Sequence, residues 1–332
     1  MKKIVICRPQ GGFNDILCQV VKCYIYCRKF DRDLYVDTGF DGNQYFKESL
    51  GEYFSSKCRH LKFNEIPRFY SGETSVFPKE LSETGDEYEY DFDDLSRSYL
   101  LRGCRKPITF DFALNYDEHI LVHHASGGGT ESSLFFAIAE FRPSILKQIE
   151  DGSRHIPQSS IGVHVRFTDY RSDYSDILER LGNENAKHVF LCSDSDFIHQ
   201  QFDRYLDSTS VHSYSSLKGG QPIHLIEGNA SEEAIQKLNF AMLRDLVVLS
   251  KCNRIYIAPL NNLGEISPDK YSGFSMLALR MNILNEGFFK KLCASIAFKL
   301  KIFKANSDPA FTSIEIFKLL FKYSILSLRR SP

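Results

Sequence analysis

Apolar and polar positions along this chain follow two periods, and the switches between them mark the elements. "KKIVIC" (2–7) is a short β-branched run that reads as a strand. "RPQGGFNDIL" is a glycine turn opening a helix through "CQVVKCYIYCRKF", with Asn14 or Asp15 as its cap. "DLYVDTG" reads as the next strand, so the chain begins with a βαβ unit of nucleotide-binding type. Residues 42–125 are aromatic and acidic ("DEYEYDFDD"), with short strands "PITFDFAL" and "HILVHHA" towards their end. "SGGGTE" and the helix-like "SSLFFAIAEF" follow.

"RPSILKQIEDGSRHIPQSS" reads as a helix and a polar linker, and places a domain boundary there. The alternation then resumes with strand "IGVHVRF", strand "HVFLCSD", helix "SDFIHQQFDRYL", a histidine- and serine-rich loop and strand "PIHLI". A long helix "SEEAIQKLNFAMLRDLVVLSKC", capped by Ser231, precedes strand "RIYIAP" and helix "GFSMLALRMNIL". Strands separated by helices imply a doubly wound parallel sheet with its ligand beyond the strand carboxyl ends. The expected α/β architecture is two Rossmann-like lobes facing a cleft, 1–145 and 146–286, then a tail at 287–332.

Composition alters this picture only at the tail. A chain of 332 residues, 43% hydrophobic and 25% charged, suits two globular domains. Its net charge of −1 hides an asymmetry, because 287–332 carries nine Lys and Arg against two acids. No leader and no membrane-length apolar run is evident. The nine cysteines lack a CxxC pair and read as reduced cytosolic thiols, with Cys23 and Cys27 in the core.

The chemistry concentrates in "SSIGVHVRFTDYRSD". His164 and Arg166 share one strand face and project from its carboxyl end. An arginine fork matches phosphate oxygens bidentately, and histidine adds a donor. Two readings stand: a phosphate site, or an internal ion pair of Arg166 with Asp169. His123 and His124 occupy opposite faces of a strand and read as structural. "SGGGTESS" (126–133) is either a lid or a connector.

"VHVRFTDY" resembles the first motif, H-x-R-R-x-D, of the fucosyltransferase superfamily that joins α1,2-, α1,6- and protein O-fucosyltransferases. "RPQGGFNDIL" is similar to the glycine loop of those enzymes, and "HVFLCSDSDFIHQQF" to their second motif. "AMLRDLVVLSKCNRIYIAPLNNLGEISPDKYSGFSMLALRM" is similar to their third, and all arrive in the family order. The resemblance covers about a third of the chain. It implies the GT-B fold, with 1–145 as the acceptor-side lobe and 146–286 holding GDP-fucose, and displacement with inversion; with Arg166 available for the diphosphate, no metal and no cofactor is expected. By the same resemblance His164 and Arg166 contact the pyrophosphate, and Asp169 orders the arginine. Asp194 or Asp196 meets the guanine or ribose. Ser272 and Ser275 bond the phosphates at a helix amino terminus. Gly11, Gly12 and Asn14 let the first lobe approach the donor. Phe167 stands where the family has a second arginine, and Asn14 where it has a glycine, so another nucleotide-linked sugar is the alternative donor.

Arg166 is expected to meet the leaving diphosphate's charge. Asp173 and Asp15 are the candidate bases for the acceptor hydroxyl. Three rivals remain: a divalent metal on Asp194 and Asp196 of "SDSDF", a P-loop enzyme lacking the usual Lys-Ser/Thr, and a non-catalytic nucleotide-sugar-binding module. Apolar residues in the tail recur at helical spacing among lysines, which suits an anionic membrane surface. The expectation is an enzyme of bacterial surface polysaccharide synthesis, peripheral on the cytoplasmic face of the membrane. Its acceptor would be a glycan, lipid-linked in that setting, and no nucleic-acid partner is expected.

Overall fold

The computed structural model describes residues 2–40, 49–68, 74–95, 98–168, 170–214, 231–262, 265–266 and 271–285. The first half runs β1 (Ile4–Pro9), α1 (Phe13–Lys29), β2 (Asp33–Val36), β3 (Phe54–Ser56), β4 (Leu61–Lys62), β5 (Val76–Phe77), α2 (Leu81–Thr84), β6 (Tyr90–Asp93), β7 (Ser98–Leu101), β8 (Ile120–Ala125), α3 (Phe135–Ile138), β9 (Ala139–Phe141) and α4 (Pro143–Ser153). The second runs β10 (Ile161–Val165), β11 (Arg171–Ser172), α5 (Ser175–Asn183), β12 (His188–Ser193), α6 (Asp196–Tyr205), β13 (Ser210–His212), α7 (Glu232–Lys251), β14 (Arg254–Ile257), β15 (Leu260–Asn262), β16 (Glu265–Ile266) and α8 (Gly273–Asn285).

β1 is central to the first sheet, whose order is β4-β2-β1-β8-β7-β6. It pairs in parallel with β2 on one side and β8 on the other. All six of its residues are buried, as a parallel strand covered on both faces requires. Val5 and Cys7 face α1, packing with Ile16, Leu17 and Val20, while Ile4 and Ile6 face Val76, Leu81 and Ile108. Each fully buried Val, Leu or Ile here contributes about 1.5–3 kcal/mol.

The second sheet is parallel throughout, in the order β13-β12-β10-β14. Val163 and Val165 of β10 face one cluster with Val189, Leu191 and Phe202. Gly162 and His164 face the other side, where α7 approaches closely: a Cβ at Gly162 would lie 2.6 Å from Leu249 Cδ1. One apolar cluster spans both lobes, joining Phe13, Ile16 and Leu17 of α1 to Leu243 and Leu246 of α7 and Leu277 of α8. These two lobes therefore share a core along α1, α7 and α8.

Several local expectations are corrected. α1 starts at Phe13 with Gly12 as its extended N-cap, so Asn14 and Asp15 lie inside the helix rather than capping it. "PITFDFAL" forms only an isolated bridge at Pro107. "SSLFFAIAEF" is a 3₁₀ turn, the single turn α3 and then β9, which pairs antiparallel with β3. Its nearly unbroken apolar run carries no helical period to decide between states. The serine- and histidine-rich loop contains β13. Ser231 does cap α7, its Oγ accepting from the Ala234 amide at 3.3 Å. Strand "PIHLI", Asp169 and the basic tail lie outside the described residues. No helix among the described residues is long and apolar enough to cross a membrane.

Candidate functional site

In both sheets the chain leaves the central strand to one side and later returns to the other. β1 leads to β2 and then β8; β10 leads to β12 and then β14. A sheet of this type opens a crevice at the carboxyl end of the strand where the order reverses. "RPQGG" follows β1 and "HVRF" ends β10, so both motifs sit at switch points.

At the second switch point His164 is buried, with its Nδ1 2.7 Å from Ser275 Oγ in the first turn of α8. Its ring packs against Phe274 at 5.3 Å between centroids. Burial, reinforced by the nearby Arg166, lowers its pKa to about 3, so the imidazole is neutral across the physiological range. Arg166 leaves the strand half-buried, its guanidinium 5.3 Å from the Tyr170 ring centroid. Ser272 precedes α8 and is 3% exposed, and its Oγ has no partner among the described residues. Its carbonyl accepts from the Met276 amide, so the helix starts there with the hydroxyl unused.

α8 also carries the second lobe to the first. A Cβ at Gly273 would lie 2.7 Å from Asn14 Nδ2, so only glycine allows this approach. Asn14 is buried; its Oδ1 accepts from Ser132 Oγ at 2.6 Å, and its Nδ2 donates to the Gly129 carbonyl at 3.5 Å. Asn14, expected among the donor-binding groups, stands at the junction of α1, the "SGGGTE" loop and α8. Gly11 has φ +98°, which its turn requires, and a Cβ there would lie 3.0 Å from Asp15 Oδ2. One on Gly128 would lie 2.1 Å from Asp15 Oδ1. The Asp15 carboxylate is thus cradled between two glycine loops, with Gly12 beside it.

His123 and His124 hold those loops. His123 Nε2 lies 2.7 Å from Gln19 Oε1, and Gln19 Nε2 donates to the Gly127 carbonyl. Gln10 and Tyr88 meet the two nitrogens of His124, which stacks on Tyr99 at 4.3 Å. Burial first, then Lys22, lowers His123 to about 3. Nearby, Arg8 at the end of β1 is 4% exposed, donating to Asp37 Oδ2 at 2.9 Å and Asp86 Oδ1 at 3.2 Å. Nothing in the local pattern marks Arg8, because its partners lie 29 and 78 residues away.

The remaining acids have other duties. Asp194 accepts from the Phe167 amide at 2.7 Å and Thr168 Oγ1 at 2.6 Å, so both oxygens brace the strand end that carries Arg166. Asp196 opens α6 and lines a hollow of about 440 Å³ with His199, Asp203 and Tyr214. Among the described residues no group of three or more His, Cys, Asp and Glu is placed to hold a metal ion. Asp173 is exposed and accepts from the amide and the Oγ of Ser175 at 3.1 and 2.6 Å, which lower its pKa. A carboxylate so held is a weaker base than a free one. Phe167, where the resembled family has arginine, stacks on Phe197 at 5.7 Å and belongs to the second-lobe core.

No family model matches the chain, and no curated protein matches it in sequence. Its fold is similar to that of the fucosyltransferase NodZ from Bradyrhizobium, with a TM-score of 0.54 at 16% identity over 85% of this chain and 95% of that one. It is similar to the NodZ alpha-1,6-fucosyltransferase soaked with GDP-fucose (TM-score 0.52, 16% identity, 84% and 92% covered). The same enzyme co-crystallised with GDP gives 0.52 and 16%, over 85% and 94%. The chain therefore has the GT-B fold of the fucosyltransferases that its motifs resemble.

Proposed function

We propose that this protein is an inverting glycosyltransferase that moves fucose from GDP-fucose to a hydroxyl of a glycan acceptor. The observation that carries the reading is what meets at the second switch point: neutral His164, bonded to Ser275 in the first turn of α8, with Arg166 near it at the strand end, and the buried Ser272 hydroxyl, which has no partner among the described residues. Backbone amides at a helix start and a fixed guanidinium are what a diphosphate requires. With Ser275 Oγ–H donating to His164 Nδ1, the ring proton sits on Nε2 and is available to a phosphate oxygen.

The acceptor oxygen attacks the anomeric carbon of fucose as the bond to the β-phosphate oxygen breaks. Arg166 and the α8 amino terminus meet the charge developing on GDP, in a step that needs no divalent cation. The acceptor proton passes to Asp15, whose carboxylate lies between the two glycine loops. Inversion follows from single displacement. The further setting is bacterial surface polysaccharide synthesis at the cytoplasmic face of the membrane, to which the basic tail would bind. A different nucleotide sugar at the same site is the alternative donor, favoured only by Phe167 in place of arginine.

A thermal-shift panel of GDP, UDP, CDP and CMP tests the donor. GDP at 100 times its Kd should add about 2.7 kcal/mol of stability. A response to UDP and none to GDP overturns the assignment of fucose. Turnover unchanged in excess EDTA is expected, and its loss would return a metal to the mechanism.

A further inference from the structure

A groove of about 500 Å³ runs along α1 from the glycine loops, outside the diphosphate site. Cys18, Lys22, Ile25 and Lys29 line it and recur at helical spacing, so they form one stripe. At 1.5 Å per residue the stripe extends about 16 Å, enough for more than a single sugar. Its head is Gly128, under which the Asp15 carboxylate lies, so the groove begins at the proposed base. Phe112 supplies an aromatic wall, and the Lys22 ammonium sits over its ring, 4.3 Å from the centroid. Lys29 lies against Phe30 at 4.8 Å. Among the described residues, no carboxylate pairs with either lysine. Glu131, near the head, is the acid lining the groove.

Resting on the glycosyltransferase reading above, we infer that this groove binds the acceptor, and that the acceptor is an extended, acidic glycan. The sugar that receives fucose lies at the head beside Asp15. Its neighbours lie along the wall formed by Ile25, Tyr26 and Phe112, and an anionic group further along meets Lys22 and Lys29. Two ammoniums on an aromatic-lined groove attract an anion far more than a neutral chain of the same length. A uronic-acid carboxylate and the diphosphate of a lipid-linked glycan both present that chemistry.

The test is calorimetric binding to the full chain saturated with GDP, so that the donor diphosphate site is filled. The probes are tetragalacturonate, chitotetraose and inorganic pyrophosphate, each against wild type and K22A/K29A. Tetragalacturonate or pyrophosphate should bind at least about tenfold tighter than chitotetraose, with the advantage shrinking in salt. That preference should vanish in K22A/K29A, while the GDP-induced rise in melting temperature reports that the variant is folded. Preference for tetragalacturonate names an acidic sugar; preference for pyrophosphate names a diphosphate-linked acceptor. Equal binding of the neutral probe, no binding of either anion, or an unaltered preference in K22A/K29A overturns the inference. Failure of GDP to bind would sink the donor reading instead.

Discussion

His164 Nδ1 and Ser275 Oγ lie 2.7 Å apart, and this contact ties the end of the central second-lobe strand to the first turn of α8. Both residues are buried, so neither atom finds water as a substitute partner. Ser275→Ala leaves a buried ring nitrogen unsatisfied and should cost about 1–3 kcal/mol of stability. It also frees the tautomer of His164, so GDP affinity should fall several-fold. Thermal melts with and without GDP check both effects, and an unchanged response to GDP would detach Ser275 from donor binding.

Arg166 is expected to act in the transition state more than in the ground state. Arg166→Ala should lower turnover by about 10²-fold or more, with a smaller loss in KM for the donor. Arg166→Lys keeps the charge but loses the fork, so it should recover only part of the rate. Near wild-type turnover in Arg166→Ala would remove this residue from the chemistry.

Asp15 gives the opposite signature. Asp15→Asn retains shape and hydrogen bonding but cannot take a proton, so kcat should fall about 10²-fold or more with GDP affinity retained. Gly128→Ala reaches the same end by another route, because its Cβ would fall 2.1 Å from Asp15 Oδ1 and displace the carboxylate. A wild-type kcat in Asp15→Asn would pass the base role to another group.

Much of this site was legible locally, and the rest was not, for a physical reason. His164 and Arg166 stand two apart on a strand, so their shared direction follows from the period alone. Ser231 capping α7 and the buried β1 are local as well. Asn14 resists such reading because Ser132, which fixes its orientation, lies 118 residues away. Gly273 is ordinary in sequence and acquires meaning only when α8 meets α1. Asp194 looks like half of a metal pair until the Phe167 amide and Thr168 hydroxyl arrive to occupy it. Side-chain partners set by tertiary packing decided each of these cases.

Acid should destabilise the fold earlier than carboxylate titration alone would. His123 and His164 are both held near pKa 3 and His124 well below its usual value, all mainly by burial. The unfolded chain protonates these rings near pH 6.5, whereas the folded one does not. The folded state therefore binds fewer protons, so stability is intact above pH 6.5 and declines as pH falls towards 3. Each ring contributes roughly 1 kcal/mol per pH unit within that window. Melting temperature should fall between pH 7.5 and pH 5, a range in which ordinary carboxylates stay ionised. A flat profile over that range contradicts the burial of neutral imidazoles.

The contact between lobes offers the last test. Gly273 meets Asn14 so closely that a methyl group would sit 2.7 Å from Nδ2, 2.9 Å from Cγ and 3.0 Å from Cβ. Asn14 cannot simply swing aside, because it is buried and accepts from Ser132. Gly273→Ala must therefore push α8 away from α1, at a cost of about 1–3 kcal/mol. The same shift moves Ser272 and Ser275 relative to Arg166, so GDP affinity should fall together with stability. A paired substitution, Gly273→Ala with Asn14→Gly, removes the obstructing side chain and should restore the GDP response, since the three nearest atoms all belong to that side chain. If Gly273→Ala melts and binds GDP as wild type does, the two lobes do not meet at this point.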